Sequence, residues 1–207
     1  WSSSLRGQSA SASARGLART LGAAITHCLM LRVIVTGGPG VGKTTLLREL
    51  SAMGYAVIEE SAREIIRERR LNGQIPRPEP QEFVAELLRR DRAKYEDSAL
   101  GPSPAFFDRC LIESVAMARE SGVLSESEVT VMLGTAHFHG RVFILPPWKE
   151  IYTNDPERDH TFEHCERVHK GLSGWYAACG YELHEVPRAT PRQRAQHVLR
   201  ALSESGA

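Results

Sequence analysis

Residues 31–47 read LRVIVTGGPGVGKTTLL, and the rest of the chain is organised around that stretch. Leu31–Thr36 is a short apolar, β-branched run that stops at glycines, the pattern of a buried strand. Gly37–Thr44 fits GxxxxGK[ST] in full, and Lys43–Met53 places Leu46, Leu47 and Leu50 at helical spacing before a stop at Gly54. A glycine-rich turn between strand and helix lets successive backbone N–H groups point inward, and the helix dipole adds positive potential at the same place. The expected ligand is Mg-ATP. Gly38, Pro39, Gly40, Val41 and Gly42 would line the cradle, and Lys43 would reach the β- and γ-phosphates as a catalytic charge. The Thr44 hydroxyl would ligate Mg²⁺, and Thr45 is expected at the α-phosphate.

Outward from this stretch, strands and helices alternate. Tyr55–Ile58 reads as a second strand, and Ser61 as an N-cap with Glu64 completing a capping box. Leu71–Pro80 is loop, and Gln81–Leu100 is a helix with Phe83, Val84, Leu87, Leu88 and Tyr95 on one side. Ala105–Asp108 is a third strand, two helical patches fill Leu111–Leu133, and Arg141–Leu145 is a fourth strand ended by Pro146 and Pro147. A helix carries Phe162, Cys165, Val168, Leu172, Trp175 and Cys179; Tyr181–Val186 is a fifth strand, and Pro191–Leu202 a closing helix. This order predicts an α/β fold, a parallel sheet covered on both faces, with ligands beyond the carboxyl ends of the strands.

The composition narrows the function. With 207 residues, 42% hydrophobic, the chain suits one α/β domain, expected over residues 30–207. A net charge of +1 without a basic block argues against nucleic acid, and no apolar run is long enough for a membrane span. Cys28, Cys110, Cys165 and Cys179 lack CxxC spacing, which reads as reduced thiols and a cytoplasmic setting. Residues 1–29 contain Arg6, Arg15 and Arg19 and no acid. Three readings fit them: an organellar transit peptide, a disordered tail, or a non-native stretch upstream of a start at Met30. The direct opening of Met30 onto the first strand favours the last.

Several side chains fall on the same rim as the glycine turn. Asp108 ends the third strand, where an acid would hold Mg²⁺ through water or accept a proton, or would form a structural pair with Arg109. Glu59 and Glu60 close the second strand; Glu60 is the choice for general-base or magnesium-positioning work, and two solvated glutamates before a helix is the alternative. Arg63, one turn into the next helix, could reach an anionic acceptor or lie on the surface. The polar segment Asn154–His160 has the character of a lid, with Arg158 as the cation that would close over a transferring phosphate; a solvated loop arginine reads almost as well. His160, His164, Cys165 and His169 have i,i+4 spacings, yet Cys165 belongs to an apolar stripe, which argues against a zinc site. Trp148 and Tyr152 read as packing of the lid hinge. The absence of an [NT]KxD motif argues against guanine specificity in the cradle.

Taken in order, VTGGPGVGKTTLL, VIEESAREII, FFDRC, RVFILPPWKEIY and DPERDHTFE resemble the small bacterial predicted ATPases known as AAA-domain proteins, and more distantly the nicotinamide-riboside kinase domain of NadR. The likeness spans about Leu31 to Leu202. It implies a kinase-like P-loop NTPase sandwich of three layers, with a five-stranded parallel sheet in the order 2-3-1-4-5. It also supports roles for Glu60, Asp108 and Arg158 in catalysis and for Arg63 and Arg109 in holding the acceptor. The third strand ends in Asp-Arg rather than the Asp-Glu of hexameric AAA machines, which favours a small-molecule kinase. The expected partners are ATP and an unidentified small acceptor, hydroxyl-bearing and nucleoside-like. The alternative is an ATPase switch that acts through a protein partner.

Overall fold

The computed structural model describes residues 31–152 and 161–204. Its centre is a parallel sheet of β1 (Arg32–Gly37), β2 (Ala56–Ile58), β3 (Ala105–Asp108), β4 (Arg141–Leu145) and β5 (Glu182–Glu185), in the order β2-β3-β1-β4-β5. Val35 lies beside Asp108, Gly37 beside Leu145 and Ile58 beside Phe107, so the carboxyl ends of the strands finish together. Every β1, β3 and β4 residue except Arg32 and Arg141 is buried. That is why these runs are continuously apolar rather than alternating.

The helices are α1 (Lys43–Ala52), α2 (Ser61–Leu71), α3 (Pro80–Asp97), α4 (Leu111–Glu120), α5 (Glu126–Thr135), α6 (Phe162–Ala178) and α7 (Pro191–Ser203). Val33, Val35, Phe106, Phe143 and Leu145 face one side of the sheet. There they pack with Leu46, Leu47 and Leu50 of α1 and Ala195, Val198 and Ala201 of α7. On the opposite side, Thr36 meets Glu113 of α4, and Phe107 packs edge-on against Phe138. Trp175 of α6 donates to the Ile112 carbonyl.

Two local expectations need correction. Ser61 does not cap α2: Glu60 occupies that place without a side-chain cap, and the Ser61 hydroxyl donates to Asp91 at 2.5 Å. A buried carboxylate is a stronger acceptor than an end-of-helix amide is a donor, so the serine turns inward. The helix expected to run to Leu100 ends at Asp97 and tightens into a 3₁₀ turn, Ser98–Leu100, where Ser98 bonds the Tyr95 carbonyl at 2.7 Å.

Phe106 is fully buried in β3 and meets Tyr55 edge-on at 5.6 Å. Phe106→Ala is expected to cost about 3–5 kcal/mol in urea denaturation, because the packed core around it cannot fully collapse onto the cavity.

Candidate functional site

The turn after β1 is shaped by close approaches. A Cβ on Gly38 would lie 2.5 Å from the Cys165 sulfur and 2.7 Å from its carbonyl oxygen, so only glycine lets α6 press against the loop. Gly42 stands at φ 85°, a left-handed conformation open to glycine, with the Arg194 guanidinium where a side chain would project. Lys43 is buried, and its ammonium donates to the Gly37 and Gly38 carbonyls at 3.0 and 2.8 Å. Thr45 bonds the Gly42 carbonyl at 2.8 Å. Arg194, from the first turn of α7, reaches back to the Val41 carbonyl (3.2 Å) and Thr45 (3.4 Å), with its Nε buried and unpartnered.

Two cavities open on this loop. One, of about 700 Å³, is lined by the whole run from Pro39 to Thr45 together with Trp148, Tyr152 and Arg194. The other, of about 520 Å³, lies among α2, α3, α4 and α6 and is lined by Glu60, Arg63, Asp91 and Arg109 at its polar parts. Pro39 and Arg63 belong to both. The loop is therefore a wall common to the cavity along Pro39–Thr45 and a second, largely apolar chamber.

Arg109 joins the two. It follows β3 directly, with φ 64°, and its guanidinium pairs with Glu113, with Glu60 at 3.3 Å and with the Gly37 carbonyl at 3.1 Å. Burial alone would lower its pKa, but the Glu113 and Glu60 carboxylates more than offset that and hold it above the usual arginine value. Glu60 also takes Arg63 at 3.0 Å, so the carboxylate lies between two guanidinium groups. Glu113 in turn accepts from Thr36 (2.5 Å) and Tyr176 (2.9 Å).

Asp108 differs from these. It is buried at the end of β3, one of its oxygens has no hydrogen-bond partner, and burial raises its pKa against the pull of Lys43. Of the residues singled out from sequence, Lys43, Thr44, Glu60, Arg63, Asp108 and Arg109 all gather at this end of the sheet. Arg109 is tied into a carboxylate network rather than projecting alone. Arg158 and His160 lie outside the described residues, as do residues 1–29. Cys165 is fully buried against the loop, in the apolar cluster.

Asp91, Glu113 and Arg194 escaped the sequence reading. Asp91 follows Val84 and Leu87 on the buried face of α3 and could have been noticed as a carboxylate in an apolar phase. Glu113 and Arg194 carry a weaker signal, each being one polar position at the start of an otherwise ordinary helix.

Removing Arg109 would leave Glu60 with Arg63 as its remaining guanidinium partner, and Glu113 as a buried carboxylate held by the Thr36 and Tyr176 hydroxyls. Arg109→Ala is expected to cost about 3–5 kcal/mol in chemical denaturation. Arg109→Lys should recover little, because a single ammonium cannot serve both acids and the Gly37 carbonyl.

A family model described as "AAA domain" matches residues 32–194. No curated protein sequence matches the chain. Among solved structures it is similar to the NadR protein in complex with NR, with TM-score 0.64 and 20% identity over 84% of this chain and 51% of that one. The chain thus spans about half the length of that protein. It is also similar to thymidylate kinase from Ehrlichia chaffeensis, with TM-score 0.56 and 15% identity, covering 84% of this chain and 98% of that one. Deoxyadenosine kinase from M. mycoides with dCMP and dCDP matches at TM-score 0.54 and 14% identity, covering 84% and 100%. At these identities the likeness concerns the fold, a P-loop kinase sandwich. The family model covers most of the chain, and the protein belongs to the AAA-domain family of P-loop proteins.

Proposed function

We propose that the protein transfers the γ-phosphoryl group of Mg-ATP to the hydroxyl of a small, uncharged, nucleoside-like metabolite. The observation that carries this reading is the second cavity, which shares Pro39 and Arg63 with the cradle. A protein that only hydrolysed ATP would have no use for a chamber of about 520 Å³ opening on its phosphate loop. The chamber's charges favour a hydroxyl over a phosphate-bearing acceptor. Among its described lining, Arg63, Arg77 and Arg109 face Glu60, Asp91, Glu113 and Glu120, leaving no surplus of positive charge for a dianion.

The cradle's backbone and Lys43 would hold the donor phosphates, with Trp148 and Arg194 walling the nucleoside end. Thr44 and Asp108 suit Mg²⁺: one is a hydroxyl on the cradle and the other a carboxylate with a buried oxygen that no protein donor satisfies. The ion, when bound, would neutralise charge on the bridging phosphate oxygens. Glu60, oriented by Arg63 and Arg109, would accept a hydrogen bond from the acceptor hydroxyl and take its proton as the new P–O bond forms and ADP departs. A carboxylate held between two guanidinium groups suffices, because little proton transfer is needed before a loose transition state. Arg158 is the candidate for the cation that closes over the transferring group.

A panel of hydroxyl-bearing metabolites, scored for ADP release, tests the reading. At least one nucleoside-like acceptor is expected to raise turnover well above hydrolysis in water. If the folded protein binds ATP and none does, an ATPase switch acting through a partner takes its place.

Asp108→Asn separates function from stability. Burial raises the folded-state pKa of this acid, so the wild type loses stability as pH rises above the ordinary aspartate range, while the amide does not. The variant is expected to melt at or above the wild type at pH 7, with the gap closing toward pH 4, and to lose ATP turnover. A lower melting temperature at pH 7 would make the carboxylate a structural partner instead.

A further inference from the structure

We propose that Asp91 reads the ring of the acceptor, and that this ring is a nitrogen heterocycle presenting N–H donors to the carboxylate. The reaction at the hydroxyl rests on the kinase reading above, whereas the ring subsite stands on binding alone.

Asp91 is 9% exposed and lines the acceptor cavity. Its two oxygens accept hydrogen bonds from Ser61, at 2.5 Å, and from Ser114. Neither partner is a cation, and each carboxylate oxygen can accept a further hydrogen bond. Lys94, Arg63 and Arg109 are committed elsewhere. Lys94, one turn further along α3, gives its ammonium to Glu64 at 2.8 Å and to the Glu59 carbonyl at 2.6 Å. Arg63 and Arg109 serve Glu60 and Glu113.

A buried carboxylate without a counter-charge is costly, and desolvation holds the Asp91 carboxyl above its usual range. If Asp91 served only to clasp α2 to α4 through the two serines, a neutral amide would do the same at lower cost. A carboxylate on a cavity wall gains what the fold withholds when a ligand brings N–H groups to it, since hydrogen bonds to a charged acceptor are the strong ones. The remaining walls suit a flat ring: Phe83, Leu87, Val168, Leu172 and Trp175 are apolar side chains lining the same cavity as Asp91. An aromatic body with a donor edge fits this surface, whereas an aliphatic polyol would leave the cavity unfilled and its own hydroxyls unpaired.

The test uses the full chain and nucleosides that share a sugar but differ in one ring amino group. Guanosine is compared with inosine, and adenosine with purine riboside, by calorimetry without ATP and by phosphoryl transfer with it. The amino-bearing member of at least one pair is expected to bind about tenfold or more tightly. In Asp91→Asn, of equal size, that advantage is expected to fall below about threefold while ATP affinity stays unchanged. Equal binding of both members of each pair by the wild type, no binding at millimolar concentration, or a preference that survives in Asp91→Asn would overturn the proposal. If Asp91→Asn does not fold, Ser114→Ala replaces it: the preference must persist, since the charge remains, and its loss is an overturning result. Discrimination in binding without transfer would sink the kinase reading and leave this one standing; transfer without discrimination would do the reverse.

Discussion

The site depends on one guanidinium and on where the backbone places it. Arg109 turns left-handed immediately after β3, so its side chain runs back toward the loop beyond β1 rather than onward with the chain. There it meets the residue that leads into α2, the first turn of α4 and a carbonyl of the phosphate turn. Three segments that share no local sequence are held at fixed distances by one planar group with donors on several edges, which an ammonium could not imitate. Thr36 and Tyr176 extend the network through Glu113 to the floor of the sheet and to α6. The polar centre is buried, and it persists because its guanidinium, carboxylates and hydroxyls bond to one another.

Much of this architecture is legible in the sequence. The apolar strands, the glycine turn and the amphipathic helices show directly because each is a local pattern of period or residue type. AFFD and RVFIL form strands over the expected residues, and the sheet has the expected order. What escaped is non-local. That Ser61 faces Asp91 rather than the end of its own helix depends on a carboxylate thirty residues away. That Arg109 and Glu60 pair depends on β2 and β3 being neighbours. Spacing brought Lys43, Glu60 and Asp108 to one rim without saying which acid would be clamped between arginines and which left alone.

That difference between the acids separates two kinds of stability. Glu60 and Glu113 are neutralised within the fold and contribute to holding it together. Asp108 keeps a buried oxygen without a donor, and Asp91 has hydroxyl partners but no cation. Both lie beside a cavity or the phosphate turn, where a ligand could provide what the chain does not. Strain of this kind is commonly concentrated where a protein does its chemistry.

The contact between Arg194 and the Val41 carbonyl bridges 153 positions of sequence. The turn itself can form early, since β1, the glycines and α1 are contiguous. Its outer wall comes from α7, the helix that follows the last strand. During synthesis, β1, β2 and β3, whose ends position Lys43, Glu60 and Asp108, can pair while the cradle still lacks one side. The completed cradle is therefore a property of the finished domain rather than of the motif that announces it.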